Sequence, residues 1–163
     1  MTVLEDAAAL RREGRHEQAR EVLIAATSSQ PHDARLQYAA ACVHDALGRE
    51  AEAIPFYRRA LAGELPPDER RSAFTGLGST YRTLGRYDDA RDTLRAGLIE
   101  FPDAHEMTVF LAMTLHNLGE HKRAIESLLK LVVATTADPE IKAYGPAIEF
   151  YAQDVDRTWG GPG

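Results

Sequence analysis

An all-α fold built from stacked helical hairpins is predicted, on three observations. Glycine recurs at Gly14, Gly48, Gly85 and Gly119, spaced 34, 37 and 34 residues apart. A small residue stands seven before each (Ala7, Ala41, Gly78, Ala112), and an alanine stands five after (Ala19, Ala53, Ala90, Ala124). Bulkier side chains occupy the places four before (Leu10, His44, Tyr81, Leu115) and nine after (Leu23, Tyr57, Leu94, Leu128). Periods of this length mark stacked supersecondary units, each unable to bury its apolar face alone.

The columns have a physical reading. Phe74, Gly78 and Tyr81 fall at i, i+4 and i+7, on one helical face, with a small residue between two large ones. Such a face lets a second helix approach closely, and the alanine five after the glycine is its matching small contact. Gly85 lies between the two periodic runs, where a helix C-terminus calls for a left-handed residue. Gly78 is therefore predicted to be a packing glycine and Gly85 a turn glycine.

The stretch from Phe74 to Asp103, FTGLGSTYRTLGRYDDARDTLRAGLIEFPD, resembles the tetratricopeptide repeat. Phe74, Leu77-Gly78, Tyr81, Gly85, Tyr87, Ala90, Leu94 and Pro102 stand at the motif's places. The first copy keeps Gly14, Ala19, Leu23, Ala26 and Pro31; the second keeps Ala41, Gly48, Ala53, Tyr57, Ala60 and Leu61; the fourth keeps Leu111, Ala112, Gly119, Ala124 and Leu128. The first, second and fourth copies lack the leading aromatic, and Thr136 replaces the closing proline. The resemblance covers about residues 2–136. It implies a right-handed α-α superhelix, a solenoid of about four helix-turn-helix repeats with a C-terminal capping helix.

In order, helix pairs are expected near 2–13 and 16–29, 34–47 and 50–62, 68–84 and 87–100, and 104–118 and 121–135. Asp33, Asp103 and Asp138 are expected N-caps, with Glu106 as capping-box partner of Asp103 and Pro139 at a first helical position. The 37-residue spacing is absorbed at AGELPPDERR, where Gly63, Pro66 and Pro67 lengthen the connection. Residues 139–156 are expected to form a further amphipathic helix, broken or kinked at Gly145-Pro146, that caps the stack, with 157–163 as a frayed tail. One domain is expected over 1–163, with repeats near 1–32, 33–67, 68–102 and 103–136.

Composition narrows the function. The chain's 163 residues suffice for one compact array without external staples. Its formal charge of −6 argues against nucleic acid and acidic membranes, both of which draw on a clustered basic surface. Only residues 69–102 lean positive, with six arginines against five acidic groups. The lone cysteine, Cys42, has no intramolecular partner, and neither a secretory signal nor a membrane-spanning apolar run is seen. A reducing, cytoplasmic setting is expected.

No catalytic, cofactor or metal site is predicted. His16-Glu17 has Arg20 where a zinc-binding helix would need a second histidine, and His116 and His121 lie five apart across the Gly119 turn. His44 sits in a packing column and is expected in the core. Cys42 lacks a neighbour to lower its pKa. Gly-rich phosphate loops and nucleophile elbows are not found, so an enzyme is not expected.

Residues ten, six and three before each turn glycine share the neighbouring face. In the first two copies they are Leu4, Ala8 and Arg11, then Tyr38, Cys42 and Asp45. In the last two they are Thr75, Ser79 and Arg82, then Val109, Met113 and His116. The resemblance implies that these line a concave groove for a peptide or partner segment. The Lys and Asn clamp of the family's chaperone-binding branch is missing, its places holding Leu4, Ala8, Ala39, Ser72 and Gly76. Arg82, with Arg11 and His116 in the same place of flanking copies, ranks first among groove residues, and favours a partner mixing acidic and apolar residues. Two readings stay open for Arg82: an anchor for that partner, or an ion pair to Asp45 across repeats. Two function classes likewise stay open: a non-catalytic protein-interaction module, or a structural element that forms homodimers through an array end or the C-terminal helix.

Overall fold

The computed structural model describes residues 1–158 and 160, which leaves most of the expected tail outside the described residues. Four antiparallel hairpins succeed one another: α1 (Val3–Arg12) with α2 (His16–Ser29), α3 (Ala34–Ala46) with α4 (Glu50–Ala62), α5 (Pro67–Thr83) with α6 (Tyr87–Glu100), and α7 (His105–Asn117) with α8 (His121–Thr135). Two short helices, α9 (Pro139–Ala143) and α10 (Gly145–Ala152), complete the described chain. Each hairpin packs on the next, and the result is the right-handed α-α solenoid.

Each hairpin turns on a glycine. Gly14, Gly48, Gly85 and Gly119 have φ between +67° and +80°. At the third turn Arg86 N–H donates to the Tyr81 carbonyl at 2.8 Å and Gly85 N–H to that of Arg82 at 3.0 Å, the paired bonds of a Schellman cap. The same pair recurs at Arg15 and Gly14, at Arg49 and Gly48, and at Glu120 and Gly119. Three buried clusters join one hairpin to the next. Ala7, Ala19 and Leu23 meet Leu36, Ala40 and Val43; Ala41, Ala53 and Tyr57 meet Ala73, Leu77 and Tyr81; Phe74 and Leu94 meet Ala104 and Met107. The fourth cluster, Ala112, Leu115 and Ala124, holds only its own hairpin.

Local expectations met mixed outcomes. Asp33 and Asp138 cap α3 and α9 through two backbone N–H groups each, and Pro139 opens α9. Asp103 does not cap α7: the N-cap is Ala104, without a side-chain bond, and Glu106 instead forms a two-bonded ion pair with Arg71 of α5, at 2.6 and 2.7 Å. With its carboxylate oxygens engaged by the Arg71 fork across repeats, Glu106 is not available to a capping box. The capping box present is that of Thr2 and Glu5. The C-terminal segment breaks at Tyr144, directly before the Gly145-Pro146 step where a kink or break was expected, giving α9 and α10. His44 is buried in the core, its Nδ1 2.7 Å from the Ala40 carbonyl and its ring stacked on Phe56 at 4.9 Å.

Candidate protein-interaction surface

The twelve face residues lie on α1, α3, α5 and α7, and each is at least partly accessible. Two of the residues three before the turn glycines, Asp45 and Arg82, prove to be links between hairpins. Asp45 accepts a hydrogen bond from the Tyr57 hydroxyl at 2.7 Å and one from the Thr80 hydroxyl of the next hairpin at 3.0 Å. Arg82 Nε donates to Asn117 Oδ1 of the next hairpin at 3.0 Å. The Arg82–Asp45 ion pair is therefore not formed: each reaches forward along the stack, not toward the other. His116, with no hairpin ahead of it, has its Nδ1 3.0 Å from that of His121, and one of the two nitrogens carries the proton the other accepts.

Around Asp45 the face is half-buried and polar. Tyr38 and Tyr57 stand with ring centroids 6.3 Å apart. Burial pushes the Asp45 carboxyl above its ordinary range, against the pull of the Tyr57 and Thr80 hydrogen bonds. Burial likewise raises the Cys42 thiol, which keeps it protonated and unreactive. At the far end, Arg82, Met113 and His116 come together with His121, Ile125 and Leu128 around a cavity of about 250 Å³. Arg11 is apart from them, beside Ala8, Arg12 and His16. The expected row of three donors is thus a pair, Arg82 and His116, joined by His121. Thr80 and Asn117 escaped sequence reasoning because nothing in the repeat pattern marks their columns as polar links. Among the described residues no group of three or more His, Cys, Asp or Glu is placed to hold a metal ion. Nor is any helix among them long and apolar enough to cross a membrane.

Glycine-turned hairpins, joined face to face by small-residue seams, define an α-helical repeat scaffold. The family model described as "Tetratrico peptide repeat" matches residues 34–155, and the chain belongs to that family. Solved structures share the fold. MamA is 17% identical, over 93% of this chain and 84% of its own, with a TM-score of 0.75. A tetratricopeptide repeat protein from Parabacteroides merdae is 20% identical, over 93% of this chain and 59% of its own, with a TM-score of 0.71. The pilF protein of Pseudomonas aeruginosa is 18% identical, over 93% of this chain and 68% of its own, with a TM-score of 0.68. At these identities the likeness is one of fold. No protein with a curated description matches the chain.

Proposed function

We propose that this protein is a non-catalytic adaptor of the cytoplasm that holds a segment of a partner protein along the face formed by α1, α3, α5 and α7. The carrying observation is that face's partial exposure on the first helix of each of four successive hairpins, with Tyr38, Val109 and Met113 offering apolar surface on the same face as Arg82. Such a mixture suits an extended or helical segment with both apolar and acidic side chains. A photo-crosslinking residue at Ser79 captures the partner under this reading, whereas the same residue at exposed Arg95 of α6 does not. Equal capture from both places, or from Arg95 alone, moves the binding surface elsewhere. A second reading, homo-oligomers through an array end, is favoured by exposed Ile125, Leu128 and Val132 on the last hairpin. Mass in solution by light scattering separates the two.

A further inference from the structure

The place nine after the turn glycine is buried in three hairpins and open in the fourth. Leu23 and Leu94 are 0% exposed and Tyr57 3%, whereas Leu128 is 37% exposed. The cause is the helix that comes next in the chain. Leu23, Tyr57 and Leu94 are covered by the first helix of the next hairpin, α3, α5 or α7. Among the described residues no helix takes that place after the fourth hairpin.

The C-terminal helix lies on another flank of α8. Gly145 of α10 sits against Val133, where an added Cβ would stand 3.2 Å from Val133 Cγ1, and Lys122 pairs with Asp154 and Asp156 at 3.3 and 2.8 Å. The equivalent flank of α6 carries Asp88 and Ile99, and Ile99 is 81% exposed. The chain thus covers a flank that is solvated in the preceding hairpin, and leaves open the seam that is buried there. That seam is the cavity lined by Met113, Ile125 and Leu128, with Arg82, His116 and His121 at its rim and no carboxylate in its lining.

We infer that this seam is a docking site for one amphipathic α-helix of a partner protein, acidic on one flank, seated as the first helix of a fifth repeat. The internal junctions define its stripe, since the incoming helices present Leu36, Ala40 and Val43, or Ala73 and Leu77 followed by the hydroxyl-bearing Thr80, at i, i+4 and i+7. Arg82 supplies the rim's fixed positive charge and the two histidines hydrogen-bonding nitrogens, which together favour a carboxylate on that flank. His116 is the position from which Asp45 and Arg82 bond the next helix, so a carboxylate there completes the series. A second copy of the chain fits poorly. Its first helix, with the N-cap, carries Thr2, Asp6 and Ala9 at the stripe positions, which would put a carboxylate into an apolar seam, and seam against seam would set one Arg82 against another. The site shares Arg82, Met113 and His116 with the end of the concave face, but it stands on the open seam at Leu128 whatever binds beside Ser79.

The probe is a stapled, fluorescent peptide copying α7, the helix that fills the equivalent seam of the third hairpin, with Asn117→Glu to meet His116. It is titrated into the full chain by fluorescence anisotropy. Saturable binding is expected, weakened roughly tenfold or more by Leu128→Glu in the protein, with the melting temperature lowered only slightly because Leu128 is already 37% exposed. Ile99→Glu, on the solvated flank of α6, leaves the affinity unaltered. His116→Ala removes the preference for this peptide over the one retaining Asn117. No binding, or binding indifferent to Leu128→Glu, overturns the proposal. So does a parent chain that sediments as a dimer which Leu128→Glu converts to monomer, because the occupant would then be a second copy. Capture at Ser79 bears only on the concave face.

Discussion

Gly78 lies directly beneath Leu94: a Cβ added to the glycine would stand 2.5 Å from Leu94 Cγ and 2.6 Å from its Cδ2. Both residues are buried, and Leu94 also borders Met107 of the next hairpin, so neither side chain nor helix has room to withdraw. Gly78→Leu is expected to destabilise by roughly 3 kcal/mol through overpacking. Chemical denaturation of the purified variant checks this, and an unchanged midpoint would contradict the pairing of α5 with α6.

Gly85 behaves differently. Its φ is +73° and an added Cβ would meet nothing within 4 Å, so the cost of a side chain there is confined to the backbone. Gly85→Ala is expected to lose about 1 kcal/mol, and Gly85→Asn less, since asparagine tolerates the left-handed region. The order of the three urea midpoints is the measurement.

These two glycines show how far the fold was legible. A residue type that repeats at a fixed offset reports a backbone constraint that recurs, and both the turns and the close helix crossings are constraints of that kind. The links of the candidate surface are not. Asp45 and Arg82 hold the same column yet use different partners, Tyr57 with Thr80 and Asn117 respectively, so no offset announces them. Arg71 and Glu106 were individually visible, but local capping logic gave Glu106 to Asp103. Only the stacking of α5 on α7 reveals the longer-range pair. The position of α10 was equally hidden: an amphipathic terminal helix says that some face is covered, not which one.

Asp45 gives a pH signature. Its folded pKa is raised, first by burial and in spite of hydrogen bonds from Tyr57 and Thr80. A raised folded pKa contributes stability that is complete below the unfolded value and is lost as pH rises through the folded value. At neutral pH the ionised carboxylate is a net cost. Asp45→Asn keeps an acceptor for the Tyr57 and Thr80 hydroxyls without the charge. It is expected to melt higher than the parent at pH 7, with the gap closing as pH falls through the carboxyl range, about 4 for an unperturbed aspartate. Melting curves from pH 3 to 8 decide it, and a gap that widens on acidification would reverse the sign.

Arg82 carries one exposed hydrogen bond, to Asn117, which is worth at most about 1 kcal/mol of stability. Its greater value lies at the junction of the concave face and the terminal seam. With a partner in hand, Arg82→Ala should weaken binding by roughly 2 kcal/mol while shifting the melt by little. Isothermal titration alongside calorimetry reads both quantities, and an unaltered affinity would leave Arg82 as a link between α5 and α7 only.

The terminal helices test what closes the stack. Truncation after Asp138 removes α9 and α10, uncovers Val133 and releases Lys122 from Asp154 and Asp156. Those ion pairs are solvent-exposed and contribute little. The loss is mainly apolar cover for one flank of α8, on the order of 2 kcal/mol. It should fall on the last hairpin, because the three buried junctions upstream are untouched. Hydrogen exchange is expected to quicken in α7 and α8 while α1 to α6 keep their protection, since each repeat draws its stability from immediate neighbours. Leu128 and the seam beside it are open with α10 in place, so the truncated chain should still bind the stapled α7 peptide. Loss of protection spread evenly over all four hairpins would mean that the array unfolds as one unit and that α10 stabilises it through more than its contact with α8.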